Sequence, residues 1–197
     1  QELDSDSDLI PLLTSEEEEE MSQEDVPAEL AILPLRNMVL FPGVVIPITA
    51  GREKSIALIK AANLNDKNVG VVSQIDEKVE DPGFDDIYKV GTMARILRVI
   101  NMPDGNMTDI LQGKKRFEIT ELVANEPYLK ATAQDLIEDR PEADDEVFMS
   151  TVEAIKDTAV KYISENGNIP SELSSAIVNI ESNAFLINFV SSNLAID

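Results

Sequence analysis

The sequence contains no cysteine, no histidine and no tryptophan, and basic residues are far fewer than acidic ones. The lack of cysteine excludes a disulfide framework and a thiolate nucleophile, which fits a reducing, cytoplasmic location. Without histidine or cysteine, the most common general base and the usual zinc ligands are also missing. No apolar run approaches the roughly 20 residues that span a bilayer, and the acidic N-terminus does not resemble a signal peptide. We therefore expect a cytoplasmic protein with no membrane contact and no metal site.

The formal net charge is −22, and it is unevenly distributed. Residues 1–29 carry twelve acidic and no basic side chains, while the remainder carries 26 acidic and 16 basic ones. Both parts would repel phosphate groups, so no nucleic-acid partner is expected. The short basic run at residues 114–116 is more typical of a solvated strand edge than of a phosphate site.

Residues 1–29 contain no aromatic side chain and include the unbroken acidic block Glu16–Glu20. This composition predicts a flexible acidic arm. Within it, four aliphatic residues form what we call the apolar island: Leu9, Ile10, Leu12 and Leu13. Burial of four such side chains could offset much of the entropy lost in ordering them. We therefore predict that the island docks into an apolar groove, on its own domain or on a neighbouring molecule.

Residues 30–139 have the pattern of a β-rich domain. Residues 33–48, LPLRNMVLFPGVVIPI, are too rich in proline for a long helix and indicate a strand, a tight corner and a second strand. Further strands are predicted at residues 69–75, 88–100, 107–119 and 129–134, and one helix at about 52–63. Arg95 and Arg98 interrupt the alternation of the strand predicted at residues 88–100, which predicts a bulge or an edge. The pattern favours a small, partly closed barrel with one inserted helix.

Residues 140–197 change to a helical period after a polar hinge at residues 138–142. Apolar residues at spacings of three and four predict helices at about 145–165, 171–181 and 183–194. Their wide apolar faces need partners, so we predict a three-helix bundle. The fold class predicted for the whole chain is α+β.

No motif in the sequence supports catalysis. Residues 51–55 and 113–115 resemble phosphate-binding loops but lack the required spacing. Adjacent carboxylates such as Asp85 and Asp86 are typical of solvated turns. A Ser-Lys dyad is not excluded by residue counts, although no spacing supports one. We expect this chain alone to be non-catalytic and to hold no cofactor.

Several motifs, taken in order, resemble the N-terminal domain of the Lon ATP-dependent proteases. They are residues 33–48, 51–56 (GREKSI), 90–96 (VGTMARI), the 103–105 turn (PDG), 113–119 (GKKRFEI), 127–129 (PYL) and 189–194 (FVSSNL). The resemblance covers about residue 30 to the C-terminus. Gln112 departs from the family's usual acidic or small residue, and the arm 1–29 has no counterpart.

The resemblance implies a PUA-like barrel followed by helices, which serves in substrate recognition and in hexamer organisation. It implies unfolded or degron-bearing protein clients, and a parent protein that degrades misfolded and regulatory proteins. The family's ATPase module, which requires ATP and Mg, and its Ser-Lys peptidase domain are not part of this chain. Because the chain begins with Gln1, we expect a trimmed or partial sequence, and we expect Asp197 to lead toward the ATPase module.

The motif residues are expected to be mainly structural, filling the barrel or bracing its loops. They are Leu33, Pro34, Leu35, Arg36, Phe41, Pro42, Gly43, Pro47, Gly51, Arg52, Gly91, Gly113 and Arg116; Val39, Val45 and Ile48 are also predicted to fill the barrel. Exposed apolar residues beside the rim are better candidates for contact with unfolded clients. We predict this role for Met38, Val44 and Met102.

Two other functions remain open at this point. A stand-alone protein of the same fold could act as an adaptor or holdase without a linked protease. RNA binding is known for barrels of this superfamily, but the net charge disfavours it.

Overall fold

The computed structural model describes residues 14–137, 139, 141–142, 144–167, 169 and 172–194. Within these residues the chain forms five α-helices and six strands. The helices are α1 (Ser15–Gln23), α2 (Glu53–Leu64), α3 (Glu146–Glu165), α4 (Glu172–Asn179) and α5 (Asn183–Ser192). The strands are β1 (Glu29–Leu35), β2 (Val45–Ala50), β3 (Asn68–Ser73), β4 (Val90–Asn101), β5 (Met107–Ala124) and β6 (Lys130–Asp135). The predicted α+β class is confirmed.

The chain divides into two compact units, which are described separately. One comprises Met21–Leu136 and contains the whole sheet. The other combines the chain up to Glu20 with the chain from Ile137 onward, including α3, α4 and α5. No helix among the described residues has the length and apolar character needed to cross a membrane.

The six strands form one sheet in the order β2-β5-β4-β3-β1-β6, and β6 also pairs with β5. Five pairings join β5, β4, β3, β1 and β6 in a closed series. The pairing of β1 with β3 is parallel, and the other four are antiparallel. Parallel neighbours need a crossover connection rather than a tight hairpin. The segment between β1 and β3 contains β2 and α2, which explains the single helix inserted among the strands.

The pairing of β4 with β5 shifts register between Met93 and Ala94, and again between Ile96 and Arg98. The bulge predicted from Arg95 and Arg98 is therefore confirmed. A bulge places an extra residue on one strand and increases its bend and twist. These shifts allow a twelve-residue strand to follow the curvature of its neighbours.

Phe117 of β5 is fully buried at the centre of the apolar core of this unit. The positions that a Cβ would occupy on Gly70 and Gly91 lie 2.8 and 3.0 Å from the ring atom Cζ of Phe117. The two glycines thus leave the space that the ring fills. The cluster around it comprises Leu30, Ile32, Val72, Ile87, Met93, Ile119, Leu129 and Ala131.

The corner predicted between the first two strands is a tight turn over residues 41–44. Pro42 is followed by Gly43 with φ of 80°, and the amide of Val44 donates to the carbonyl of Phe41 at 3.2 Å. Proline followed by a glycine with positive φ is the signature of a type II turn. Two 2.9 Å bonds fasten this turn to β5: Gly43 N–H to Gly113 O, and Gly113 N–H to Val44 O.

The prediction of a flexible arm over residues 1–29 differs from the structure at residues 15–23, which form α1. Thr14 caps this helix, because its Oγ1 accepts from the amide of Glu17 at 3.2 Å while its own amide donates to the Glu17 carboxylate at 3.0 Å. This reciprocal pair is a capping box, and acidic side chains in a first turn favour the helix dipole. Charge composition alone therefore missed a helix start.

In the helical unit, α3 contacts both α4 and α5. Asp145 caps α3 by accepting from the amides of Val147 and Phe148, and Ser182 caps α5 by accepting from the amide of Phe185. Such caps satisfy amides that have no partner within the helix. The three helices begin within two residues of their predicted starts.

Substitution of Gly113 by alanine should destabilise the sheet unit. A Cβ at this position would lie 2.2 Å from the carbonyl oxygen of Phe41, which is backbone and is held by the turn. We expect Gly113→Ala to lower the free energy of unfolding by about 1–3 kcal/mol or more, measured by urea denaturation. Gly83→Ala is the control, since its Cβ would meet only an ordinary 3.6 Å contact. Equal stability of the two variants would contradict this account.

Asp109 of β5 is fully buried, and among the described residues neither carboxylate oxygen has a hydrogen-bond partner. It pairs across the sheet with Ile48 of β2 and Val99 of β4. Burial away from water disfavours the charged form and raises the pKa of Asp109 to about 6. The folded chain therefore holds a proton that the unfolded chain releases near its ordinary pKa of 3.8.

Because this pKa is raised on folding, stability should fall as the pH rises from about 4 to about 6. The shift corresponds to a penalty of up to about 3 kcal/mol at neutral pH. We expect Asp109→Asn to gain stability relative to the parent as the pH rises from 4 to 7.5, measured by urea denaturation at several pH values. Asp85→Asn, at an exposed position, is the control. A difference between Asp109→Asn and the parent that does not change with pH would refute the assignment.

Candidate functional site

The sheet unit contains an open cleft between β1, β2 and the start of α2, which we call the β1–β2 cleft. Its volume is about 460 Å³. Its lining includes Leu33, Pro34, Leu35, Arg36, Met38, Pro47, Ile48, Thr49, Ala50, Gly51, Arg52 and Ser55. Of these, Leu33, Leu35, Ile48 and Ala50 are buried and form an apolar floor, whereas Met38 is 42% exposed at the rim. The motif at residues 33–48 and the glycine that follows β2 therefore build one concave surface.

The rim of the cleft is organised by Gln74, which is buried. Its Oε1 accepts from the guanidinium of Arg52 at 2.7 Å, and its Nε2 donates to the carbonyls of Asp76 and Val79 at 2.8 and 2.7 Å. The guanidinium of Arg36 also donates to the carbonyl of Val79, at 3.4 Å. One amide side chain thus links α2 to the loop that follows β3.

The two guanidinium groups of the cleft influence each other. Burial, and then the positive charge of Arg36, lower the pKa of Arg52, while Asp81 and Glu80 act in the opposite direction. Asp81 is in turn bound by Lys54 at 3.1 Å. The cleft therefore combines an apolar floor with two guanidinium groups at its rim, and the carboxylates of Asp81 and Glu80 act on the pKa of Arg52 from outside the lining.

The three residues predicted to contact clients occupy different environments. Met38 lines the β1–β2 cleft, and Met102 is 42% exposed in the turn between β4 and β5, outside the cleft lining. Val44 is only 7% exposed, so the expectation that it is an exposed rim residue is wrong. The bonds that fasten the 41–44 turn to β5 hold the backbone of Val44 against the sheet and cover its side chain.

The predicted structural residues differ in burial: Leu33, Leu35, Gly43 and Ile48 are buried, whereas Arg36, Pro47 and Gly51 are exposed. Val39 is 55% exposed, so the prediction that it fills the interior is wrong. It lies before the corner, between β1 and β2, and belongs to no strand. The Arg116 guanidinium lies over the ring of Phe41, 5.9 Å from its centroid. At Gly91 and at Gly113 a Cβ atom would collide with a backbone carbonyl oxygen, so these two positions require glycine.

Sequence reasoning missed Gln74 and Asp109. Asp109 carried a usable signal, because it takes an inward position in the alternation Met107, Asp109, Leu111. No sequence pattern marks Gln74, because its role depends on backbone carbonyls of the loop after β3. The described residues hold no group of acidic side chains arranged to bind a metal ion. The apolar island lies outside the described residues, so its docking remains a prediction.

A family profile described as the ATP-dependent protease La (LON) substrate-binding domain matches residues 29–197. The chain belongs to this family. The match begins at β1 and includes all the elements that form the β1–β2 cleft.

Curated relatives named Lon protease cover nearly the whole chain. The protein from Flavobacterium johnsoniae is 61% identical over 98% of this chain and 24% of its own length. The protein from Cytophaga hutchinsonii is 49% identical over 95% of this chain and 23% of its own length. The chain thus spans about a quarter of the curated Lon relatives that it matches.

A solved structure supports the fold at a greater evolutionary distance. The N-terminal domain of the Mycobacterium avium complex Lon protease superposes with a TM-score of 0.68 at 17% identity. The match covers 86% of this chain and 84% of the other. At this identity the likeness establishes the fold alone.

Replacement of Gln74 by leucine should loosen the loop at the rim of the cleft in this Lon-family domain. It removes the acceptor of Arg52 and leaves the Asp76 and Val79 carbonyls without their amide donor. We expect a loss of about 1–3 kcal/mol in unfolding free energy and faster hydrogen exchange over residues 76–82. Gln134→Leu, on the exposed part of β6, is the control and should change stability by less than about 0.5 kcal/mol. Unchanged exchange in Gln74→Leu would contradict the linking role.

Proposed function

We propose that this chain is the substrate-recognition and hexamer-organising N-terminal region of an ATP-dependent Lon-type serine protease. The observation that carries the proposal is the family match over residues 29–197, together with relatives four times as long that are named Lon protease. In the proposed protein, an ATPase module that uses ATP and Mg and a Ser-Lys peptidase lie outside this chain. Its clients are misfolded and regulatory proteins of the cytoplasm.

We further propose that the sheet unit is a PUA-like barrel. The support is the set of pairings that runs from β5 through β4, β3, β1 and β6 and returns to β5. The helices α3, α4 and α5 are proposed to form the helical subdomain that leads toward the ATPase module. The alternative of a stand-alone adaptor or holdase is not favoured, because the matched relatives are the longer Lon proteases.

The β1–β2 cleft is proposed as a surface that receives unfolded client segments. Its apolar floor and the half-exposed side chain of Met38 offer the kind of surface that an extended, apolar segment can cover. Arg36 and Arg52 keep donors for carbonyl or carboxylate groups, because each guanidinium has five N–H donors. Single contacts of this type give weak binding, in the micromolar range or poorer.

The test is the binding of a fluorescently labelled, permanently unfolded protein such as casein to the purified chain, followed by anisotropy. We expect Met38→Asp to weaken binding about fivefold or more, since it places a charge on an apolar contact. The matched control is Leu64→Asp, because Leu64 is 85% exposed on α2 and does not line the cleft. Equal weakening by both substitutions, or no binding by the parent at high concentration, would overturn the proposed role of the cleft.

A further inference from the structure

The helical unit contains a large apolar groove between α3, α4 and α5, which we call the helical groove. Its volume is about 780 Å³. The described residues that line it are Thr151, Ala154, Ile155, Thr158, Ala159, Tyr162, Ile163, Ile169, Leu173, Ile177, Phe189, Val190, Asn193 and Leu194. None of them carries a charge, although the chain as a whole has a net charge of −22. Tyr162 and Leu194 are more than half exposed. This surface is suited to an apolar segment and would not repel an acidic one.

One segment of this chain has the matching chemistry. The apolar island places four aliphatic side chains within residues 9–13, between residues 2–8, of which four are acidic, and the acidic block Glu16–Glu20. In many helices the residue before the cap packs against an apolar residue four positions into the helix. Here the cap is Thr14, the preceding residue is Leu13, and the fourth position is Glu18. Helix α1 therefore offers Leu13 no apolar partner of this kind.

The start of α1 is fixed close to α5. The hydroxyl of Ser182, which caps α5, donates to the carboxylate of Glu18, and both residues belong to the helical unit. This contact places the chain just after the island beside the first turn of α5. Phe189, in the groove, lies seven residues further along, which is about 10 Å of helix.

The island is long enough to cover this distance. From Glu18, four residues of helical rise lead back to Thr14, or about 6 Å. The five residues from Leu13 to Leu9 then extend up to about 17 Å. The segment is therefore long enough to reach from the contact at Ser182 to the groove lining at Phe189 and Val190.

From these observations we infer that the apolar island occupies the helical groove of its own chain, as an intramolecular peptide ligand. The aliphatic side chains replace solvent over the groove, while the acidic residues on either side of the island, apart from Glu18, stay in water. The capping box at Thr14 and the bond between Glu18 and Ser182 set the point from which the segment enters. The inference is independent of client binding at the β1–β2 cleft and goes beyond the proposed function.

The absence of cysteine from the sequence allows a direct test by paired cysteines in the 197-residue chain. The first pair is Leu12→Cys with Thr158→Cys, where Thr158 lines the groove. The control pair is Leu12→Cys with Ser164→Cys, where Ser164 is exposed on the same helix but outside the groove lining. The hydroxyl groups of Thr158 and Ser164 each donate to a backbone carbonyl within α3, so each cysteine substitution removes one hydrogen bond of the same kind. Cross-linking with a short bis-maleimide is read by gel mobility and mass spectrometry.

We expect the groove pair to form the intramolecular cross-link about tenfold or more faster than the control pair, because docking raises the effective concentration of the two thiols. A third variant adds Leu9→Ser, Ile10→Ser and Leu13→Ser to the groove pair, and should reduce cross-linking to the control level. Circular dichroism and urea denaturation establish that each variant is folded.

Three results would overturn the inference. Equal rates for the groove and control pairs would mean that the segment does not dock. Cross-linked dimers instead of intramolecular products would assign the groove to a second copy. A groove preference that survives the three serine substitutions would show that the aliphatic side chains do not drive the contact. None of these results depends on a client, so they are separate from failure of the proposed function.

Discussion

The fold depends on the backbone of β5, an 18-residue strand whose hydrogen bonds serve β2, β4 and β6. A strand has only two edges, so three partners require that different parts of its length be shared. Residues 107–112 pair with both β2 and β4, residues 117–118 pair with β4 and β6, and the end of the strand pairs with β6. Register shifts after Ile119 and Leu122 bend the strand within its pairing with β6. The corner at residues 41–44, the packing of Phe117 and the position of the cleft all follow from this arrangement, because each is attached to β5.

The same arrangement carries an energetic cost at Asp109. The residue lies where β5 is covered by β2 on one side and β4 on the other, so its carboxylate loses water without gaining a partner among the described residues. A leucine or valine would satisfy the alternation of the strand without this penalty. The favourable terms elsewhere on β5, including complete burial of the Phe117 ring at roughly 1.5–3 kcal/mol, offset the cost. We therefore expect the burial of Asp109 to add to the pH dependence of stability in the mildly acidic range.

The sequence predicted the regular elements well because their signals are local. Alternation identified β6, and the Pro-Asp-Gly turn at residues 103–105 identified the hairpin of β4 and β5. The spacing of apolar residues identified α3, α4 and α5, and Pro42 with Gly43 identified the corner. The failures arose where tertiary contacts decide. Val44 is covered because Gly113 bonds its carbonyl, and Val39 is exposed because the chain before the corner leaves the sheet. The cleft was only partly predictable, since Met38 could be selected from the motif, whereas Gln74 acts through carbonyls distant from any recognisable pattern.

The β1–β2 cleft and the helical groove are apolar concave surfaces, and such surfaces favour non-specific self-association. Net charge of one sign opposes self-association, and it does so most effectively when the charges surround the apolar regions rather than interrupt them. Among the described residues that line the helical groove none is charged, while the acidic block at residues 16–20 lies in the same compact unit. The β1–β2 cleft has a different chemistry, with the guanidinium groups of Arg36 and Arg52 at its rim; Asp81 and Glu80 partly oppose the lowering of the Arg52 pKa by burial and by Arg36. A segment bound in the cleft would meet guanidinium donors at the rim, whereas one bound in the groove would meet mainly apolar side chains and a few neutral polar ones. This difference in chemistry separates the two surfaces by the kind of segment that each one can hold.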